Sequence, residues 1–194
     1  LSINTNSSTS SDGDVTFSAL VFGGHSLSIT AGSATTTFGG SIGTAAALSQ
    51  LSVSSSSIRV GGSVQTEGGD VLLLGATALT ANVTIDTELD ADSNAGDVTI
   101  GGMLSATAAG FDLTVNASSG SSSGLTGGDV TLGALNNAAG AFLNDVTIDT
   151  RAETNGTIFL GGNISTDNNN SGSDNGSLVF LGQVVLTASQ TWDT

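Results

Sequence analysis

Val83-Thr-Ile-Asp-Thr87 returns intact 63 residues later as Val146-Thr-Ile-Asp-Thr150. Within it Val83, Ile85 and Thr87 fall on one side of an extended chain and Thr84 and Asp86 on the other, the period-two pattern of a strand with one buried face. Looser copies stand at Leu1-Ser-Ile-Asn-Thr5, Leu27-Ser-Ile-Thr30, Leu51-Ser-Val-Ser54 and Leu113-Thr-Val-Asn-Ala117. A second motif accompanies the first: Gly-Asp-Val at 13–15, 69–71, 96–98 and 128–130. Its fullest forms, Gly96-Asp-Val-Thr-Ile-Gly-Gly102 and Gly156-Thr-Ile-Phe-Leu-Gly-Gly162, close on a glycine pair. Loops of unequal length separate the motifs at 6–12, 88–95, 117–127, 151–155 and 167–175. One cycle takes about 24–33 residues, and an internal period in this range marks a repeat architecture.

Composition narrows the choice among all-β folds. The 194 residues contain 28 Gly, no Pro, no Cys, no Tyr, one Trp and seven Phe. Sandwiches and barrels draw on proline turns and aromatic cores, whereas stacked coils need small, aliphatic or β-branched residues at equivalent positions. No stretch has helical spacing over ten residues with caps; the Ala-rich run 44–51 comes nearest, and its flanks resume the strand pattern. The expectation is a single domain over 1–194: an all-β parallel β-helix, or β-solenoid, of roughly seven or eight coils and about 35–40 Å long at the strand spacing. The glycine pairs are expected at corners where φ is positive.

Seventeen acids face two arginines, Arg59 and Arg151, giving a net charge of −15. That balance excludes nucleic-acid binding, which needs a basic footprint, and attraction to anionic membrane surfaces. No run approaches the 18 apolar residues of a membrane span, so membrane insertion is not expected. No signal-peptide pattern is legible. At 38% apolar residues the chain can fill a core and is not read as disordered.

The run Gly68-Gly-Asp-Val-Leu-Leu-Leu-Gly-Ala-Thr-Ala-Leu-Thr-Ala-Asn-Val-Thr-Ile-Asp-Thr87 resembles the β-strand repeats of filamentous-haemagglutinin-like bacterial exoproteins and autotransporter passengers. So do Thr36-Thr-Phe-Gly-Gly-Ser-Ile42, Phe111-Asp-Leu-Thr-Val-Asn116 and Val185-Leu-Thr-Ala-Ser-Gln-Thr-Trp-Asp-Thr194. The resemblance covers nearly the whole chain. It implies a right-handed β-helix, secreted to the cell surface, that serves as a filament, rod or adhesin. Leu1 and Gln190–Thr194 both fall in strand-like segments without a polar cap, so the expectation is a segment of a longer rod or a subunit that self-associates head to tail. The alternative is an adhesin whose loops at 88–95 or 167–175 hold a glycan or surface receptor.

Sites are sparse, and neither a catalytic nor a cofactor-binding residue is assigned. His25, beside Gly23-Gly24, reads as a turn residue. Carboxylate pairs of the kind that cleave polysaccharides could form from Glu67 with Asp70 or Asp86 with Glu88, but Trp192 offers a lone aromatic platform, and no enzyme is expected. Oxygen donors alternate at Asp90, Asp92, Asn94 and Asp97, the spacing of a calcium loop; Asp167 to Asp174 is a weaker copy. Ala95 and Gly101 replace the glycine and glutamate that a helix–loop–helix calcium site would carry. Asp86 and Asp149 read as matching outward charges that keep the surface soluble. Threonines 84, 99, 114, 131 and 147 recur, though not at the two positions per coil that an ice-binding face requires. Seven Asn-x-Ser/Thr triplets, among them Asn82-Val-Thr84 and Asn155-Gly-Thr157, offer possible glycan sites.

Overall fold

A computed structural model describes residues 1–9, 11–90, 92–108, 110–120, 124–135, 141–166 and 176–193, and among them every regular element is a strand. In chain order these are β1 (Ser2–Asn4), β2 (Val15–Phe17), β3 (Ser26–Phe38), β4 (Gln50–Val60), β5 (Val64–Gln65), β6 (Val71–Leu79) and β7 (Val83–Asp86). There follow β8 (Val98–Ile100), β9 (Leu104–Ala106), β10 (Phe111–Asn116), β11 (Val130–Leu132) and β12 (Leu143–Asp149). The last are β13 (Thr157–Leu160), β14 (Ile164–Ser165), β15 (Leu178–Leu181), β16 (Gln183–Leu186) and β17 (Trp192–Asp193).

Every pairing between these strands is parallel, and the sheets do not close into a barrel. Three ladders run side by side. The first joins β1-β3-β4-β6-β8-β11-β13-β16 and stacks Ile3, Ile29, Val53, Leu73, Ile100, Leu132, Leu160 and Leu186 in register. The second stacks Val15, Thr36, Ile58, Thr77, Leu104, Leu135, Ile164 and Trp192. The third stacks Val21, Ile42, Val64, Ile85, Val115, Ile148 and Phe180. The chain visits them in constant order, first, second, third, once per circuit. Such an arrangement is consistent with a β-solenoid. β3, β4 and β6 each span two ladders, with register shifts at Gly32 and between Ser54 and Ser57 where the strand turns the corner.

The buried side of all three ladders forms one apolar cluster from Val15 to Ile164. In-register stacking puts like on like: Phe17 lies parallel to Phe38 at 5.3 Å between ring centres. The perfect repeat is two circuits apart, since Val83 pairs Leu113 and Leu113 pairs Val146. Thr87 and Thr150, which end the two copies, are fully buried and donate to the carbonyls of Gly96 (2.9 Å) and Gly156 (3.0 Å). A buried hydroxyl is tolerated because it has that partner.

Three sequence-based expectations need correction. Leu1–Thr5 is not equivalent to Val83–Thr87: β1 belongs to the first ladder and β7 to the third. Gly13-Asp-Val15 likewise enters the second ladder, while the three later Gly-Asp-Val motifs enter the first. The motif marks the entry to a strand, whichever face that strand builds.

The glycine pairs meet the expectation only in part: Gly23 and Gly68, each the first of a pair, have positive φ. Among the described glycines positive φ occurs at 23, 32, 43, 68, 110, 120 and 124, so Gly101-Gly102 and Gly161-Gly162 carry none. Gly102 and Gly162, the second of each pair, answer to crowding along the stack, as do the glycines that open the strand-entry motifs of the first ladder. A Cβ on Gly96 would lie 2.3 Å from the carbonyl of Gly69, one on Gly128 2.0 Å from that of Gly96, and one on Gly156 2.1 Å from that of Gly128. A second column, Gly75, Gly102 and Gly133, repeats the arrangement. At Gly101 the nearest atom is Leu74 Cδ2 at 3.5 Å, an ordinary contact. Gly96→Ala is therefore expected to lower the urea-unfolding free energy by about 2–3 kcal/mol, the cost of overpacking against rigid backbone. Gly101→Ala is expected to be neutral or to stabilise by about 0.5 kcal/mol through the unfolded chain.

Candidate functional site

The aspartates of the strand-entry motif do architectural work. Asp70 Oδ1 accepts the backbone N–H of Asp97 at 3.0 Å, Asp97 Oδ1 that of Asp129 at 2.8 Å, and Asp129 Oδ1 that of Thr157 at 2.7 Å. Asp14 does the same for Thr35 at 2.8 Å on the second ladder. On the third, Asn82, Asp112 and Asp145 accept from the N–H groups of Asp112, Asp145 and Ser177. Asp14, Asp70, Asn82, Asp97 and Asp129 stand just before a strand, while Asp112 and Asp145 lie inside β10 and β12 at the register shift between them. Each satisfies the equivalent residue one circuit on. Backbone donors near a core require such partners.

This separates the four residues whose spacing resembles a calcium loop, none of which the sequence assigns as a metal ligand. Asp97 is committed to Asp129, and Asn94 Oδ1 accepts from the N–H of Thr126 at 2.9 Å. Asp90 and Asp92 remain together in the loop after β7, and they meet Glu67 and Glu88. One carboxylate oxygen from each of these four lies within 4.8 Å of the others. The ladder explains the meeting. Thr66 and Thr87 end adjacent circuits, tied by the Thr66 N–H to Asp86 carbonyl bond at 2.9 Å, so the residues after them, Glu67 and Glu88, stack directly.

Glu88 is buried, with 3% of its surface exposed. Its carboxylate accepts from the Asp92 N–H at 3.2 Å and from the Ser93 hydroxyl, which folds the loop back over it. Crowding raises the affinity of Glu67 and Asp90 for protons. Glu67 is pushed up to about 7, first by loss of water around its carboxyl and then by the charges of Glu88 and Asp90. Asp90 is raised chiefly by the charge of Asp92. As a set of hard oxygen donors, Glu67, Glu88, Asp90 and Asp92 are the residues that could hold a cation such as Ca²⁺.

The carboxylate pairing is also revised. Glu67 meets Glu88 and not Asp70, which points along its own ladder. Asp86 does reach Glu88, but through the Glu88 backbone N–H at 3.3 Å. Asp86 and Asp149 lie in one column with Asn116 between them. The Asn116 amide donates to Asp86 at 3.1 Å, while Arg151 grips Asp149 with two bonds of 2.9 and 2.8 Å. Burial raises the Asp86 carboxyl; at Asp149 burial acts the same way, but the Arg151 bonds prevail and lower it. Arg59, the other cation, sits on the second ladder between Thr37 and Ala78.

His25 is exposed and its N–H closes a turn onto the Gly23 carbonyl at 2.6 Å. Trp192 is not alone: it meets Phe180 edge-on at 5.7 Å. Thr84, Thr114 and Thr147 form a short column that ends at Val179, and Thr99 pairs Thr131 on the first ladder between Leu72 and Phe159. The weaker calcium loop at 167–174 lies outside the described residues. Sequence spacing could not show Glu67 as a member of the cluster, because it joins from the neighbouring circuit. No family model, curated protein or solved structure matches this chain.

Two outcomes follow from this geometry. Asp97→Ala should cost about 1 kcal/mol by stranding the Asp129 N–H, and Asp97→Asn, which keeps an acceptor, should cost little in the same urea titration. Glu67 holds its proton more tightly folded than unfolded, so its contribution is complete below about pH 4.5 and lost as pH rises through about 7. Thermal unfolding should therefore show Glu67→Gln raising Tm at pH 8 while leaving Tm at pH 4 unchanged.

Proposed function

We propose that the chain is a right-handed parallel β-helix of eight coils that serves as structural material, a rod or filament unit, on or outside a bacterial cell. The observation that carries this reading is the continuity of the three ladders: side chains stack in register from Ile3 to Leu186, from Val15 to Trp192 and from Val21 to Phe180. Hydrogen bonds between circuits then run along the axis, the direction in which a fibre bears load. The charge of −15 keeps such a rod soluble. The resemblance to filamentous-haemagglutinin-like repeats supports both the handedness and the extracellular setting.

A second reading, an adhesin, draws on the loops. Adjacent ladder positions are 20 residues apart from Val53 to Leu73 but 32 from Ile100 to Leu132, with no loss of register. The added residues project as loops, where binding residues concentrate on rigid scaffolds. Glycan-array binding that vanishes when 88–95 is shortened would select this reading over pure scaffolding.

The test of the rod is a broad-specificity protease combined with small-angle scattering. Trypsin is uninformative, since Arg59 and Arg151 are its only targets. The expected result is cleavage confined to loops, a persistent core, and a particle about 35–40 Å along its axis. Rapid digestion throughout the strands would overturn the proposal.

A further inference from the structure

A groove of about 260 Å³ opens on the edge where the third ladder turns toward the first, lined by Ser118, Gly120, Asp149, Arg151 and Ala152. Unequal loops create it. The chain takes residues 117–129 to pass from β10 to β11 but only 150–156 from β12 to β13, so a long loop rises beside a short one. Asn116 and Asp149 stack at the end of the third ladder, and the residues after them fold back onto them. The N–H of Ser118 donates to Asn116 Oδ1 at 3.2 Å, and that of Arg151 to Asp149 Oδ1 at 3.0 Å. The Glu153 carboxylate accepts the N–H of Gly124, which ties the long loop to the short one. The groove shares its edge with the 88–95 loop, since the Thr87 N–H donates to the Asn116 carbonyl at 3.0 Å and the Ala117 N–H to the Asp149 carbonyl at 2.8 Å.

The lining holds unspent hydrogen-bonding capacity in fixed geometry. A guanidinium carries five N–H donors; Arg151 gives two to Asp149, through Nε at 2.9 Å and Nη2 at 2.8 Å, and keeps the other three. Asp149 Oδ2 accepts one of these bonds and has room for a second. The Ser118 hydroxyl donates to Asn116 Oδ1 at 2.7 Å, which leaves its oxygen free to accept. Ser119, between two lining residues in sequence, carries a buried hydroxyl with no hydrogen-bond partner. We propose that this groove binds a neutral saccharide through two neighbouring ring hydroxyls; this rests on the adhesin reading above. A hydroxyl both donates and accepts, so an adjacent pair matches an edge where a donor, Arg151 Nη2, stands beside an acceptor, Asp149 Oδ2. Charge selects against ionic ligands. Asp149 already offsets Arg151, Glu153 follows two residues on, and the chain carries −15, so an anion is opposed. A cation meets the guanidinium. The two bonds to Asp149 hold the long Arg151 side chain in place beforehand, which lowers the ordering cost of binding.

The test is an array of neutral and acidic glycans probed with the whole chain, followed by calorimetric titration of the best neutral binder. Binding to neutral glycans that carry adjacent free hydroxyls is expected. Arg151→Ala is expected to weaken it by roughly tenfold or more, the cost of losing hydrogen bonds to a charged group. Arg151→Lys, which keeps the charge but not the fork, is expected to do the same. Ala152→Leu narrows the groove with the Asp149–Arg151 pair in place and is also expected to weaken binding. Arg59→Ala, which removes the other cation, on the second ladder, leaves it unchanged. If Arg151→Ala loses the circular dichroism of the parent, Ala152→Leu decides, and unchanged binding by that variant overturns the proposal. Binding that survives Arg151→Ala yet vanishes when 88–95 is shortened overturns this site and leaves the adhesin reading. Binding confined to acidic glycans overturns the ligand class. Absence of binding to every glycan overturns the site and the adhesin reading together.

Discussion

Hydrogen bonds between backbones of successive circuits hold them about 4.8 Å apart, and the remaining choices of side chain follow from that spacing. At such a distance a residue is stacked on its equivalents above and below, so whatever one circuit places in a column the next must accommodate. Aliphatic residues fill the inward columns, and the rings of Phe17 and Phe38 stack parallel on neighbouring circuits. Where corner carbonyls point up the axis, even a methyl group collides, and glycine columns result: Gly69, Gly96, Gly128 and Gly156, then Gly75, Gly102 and Gly133. Conformational freedom is secondary at these positions, since none of the seven has positive φ.

Much of this is legible in the sequence itself. Val83–Thr87 and Val146–Thr150 showed the strand, its buried face and a whole number of circuits between copies, because stacking rewards like residues at like positions. The assignment of strands to faces was not legible. Leu1-Ser-Ile-Asn-Thr5 and Val83-Thr-Ile-Asp-Thr87 look alike because all faces of the core impose the same alternation; only the hydrogen-bonded partners, Ser28 for Ser2 and Leu113 for Val83, tell them apart. The roles of Asn94 and Asp97 were hidden for a related reason. An Asx residue before a strand serves a donor about 30 residues away, Thr126 and Asp129 here, and local spacing carries no trace of that partner.

Two groups of acids contrast most sharply. Asp14, Asp70, Asp97, Asp112, Asp129 and Asp145 each face a backbone N–H of the following circuit, so their negative charge is opposed by oriented donors and helps propagate the ladders. Glu67, Glu88, Asp90 and Asp92 face one another. Loss of water around Glu67, and after it the charges of Glu88 and Asp90, push its carboxyl up to about 7. The same ladder that satisfies the first population creates the second, since stacking Thr66 on Thr87 brings Glu67 onto Glu88. A repeat that places like on like builds a core well and tolerates like charges poorly. For that reason the stack interleaves Asn116 between Asp86 and Asp149 and pairs Asp149 with Arg151. The loop after β7 has no such interleaving, which makes it the place where this surface departs from what the ladder alone would select.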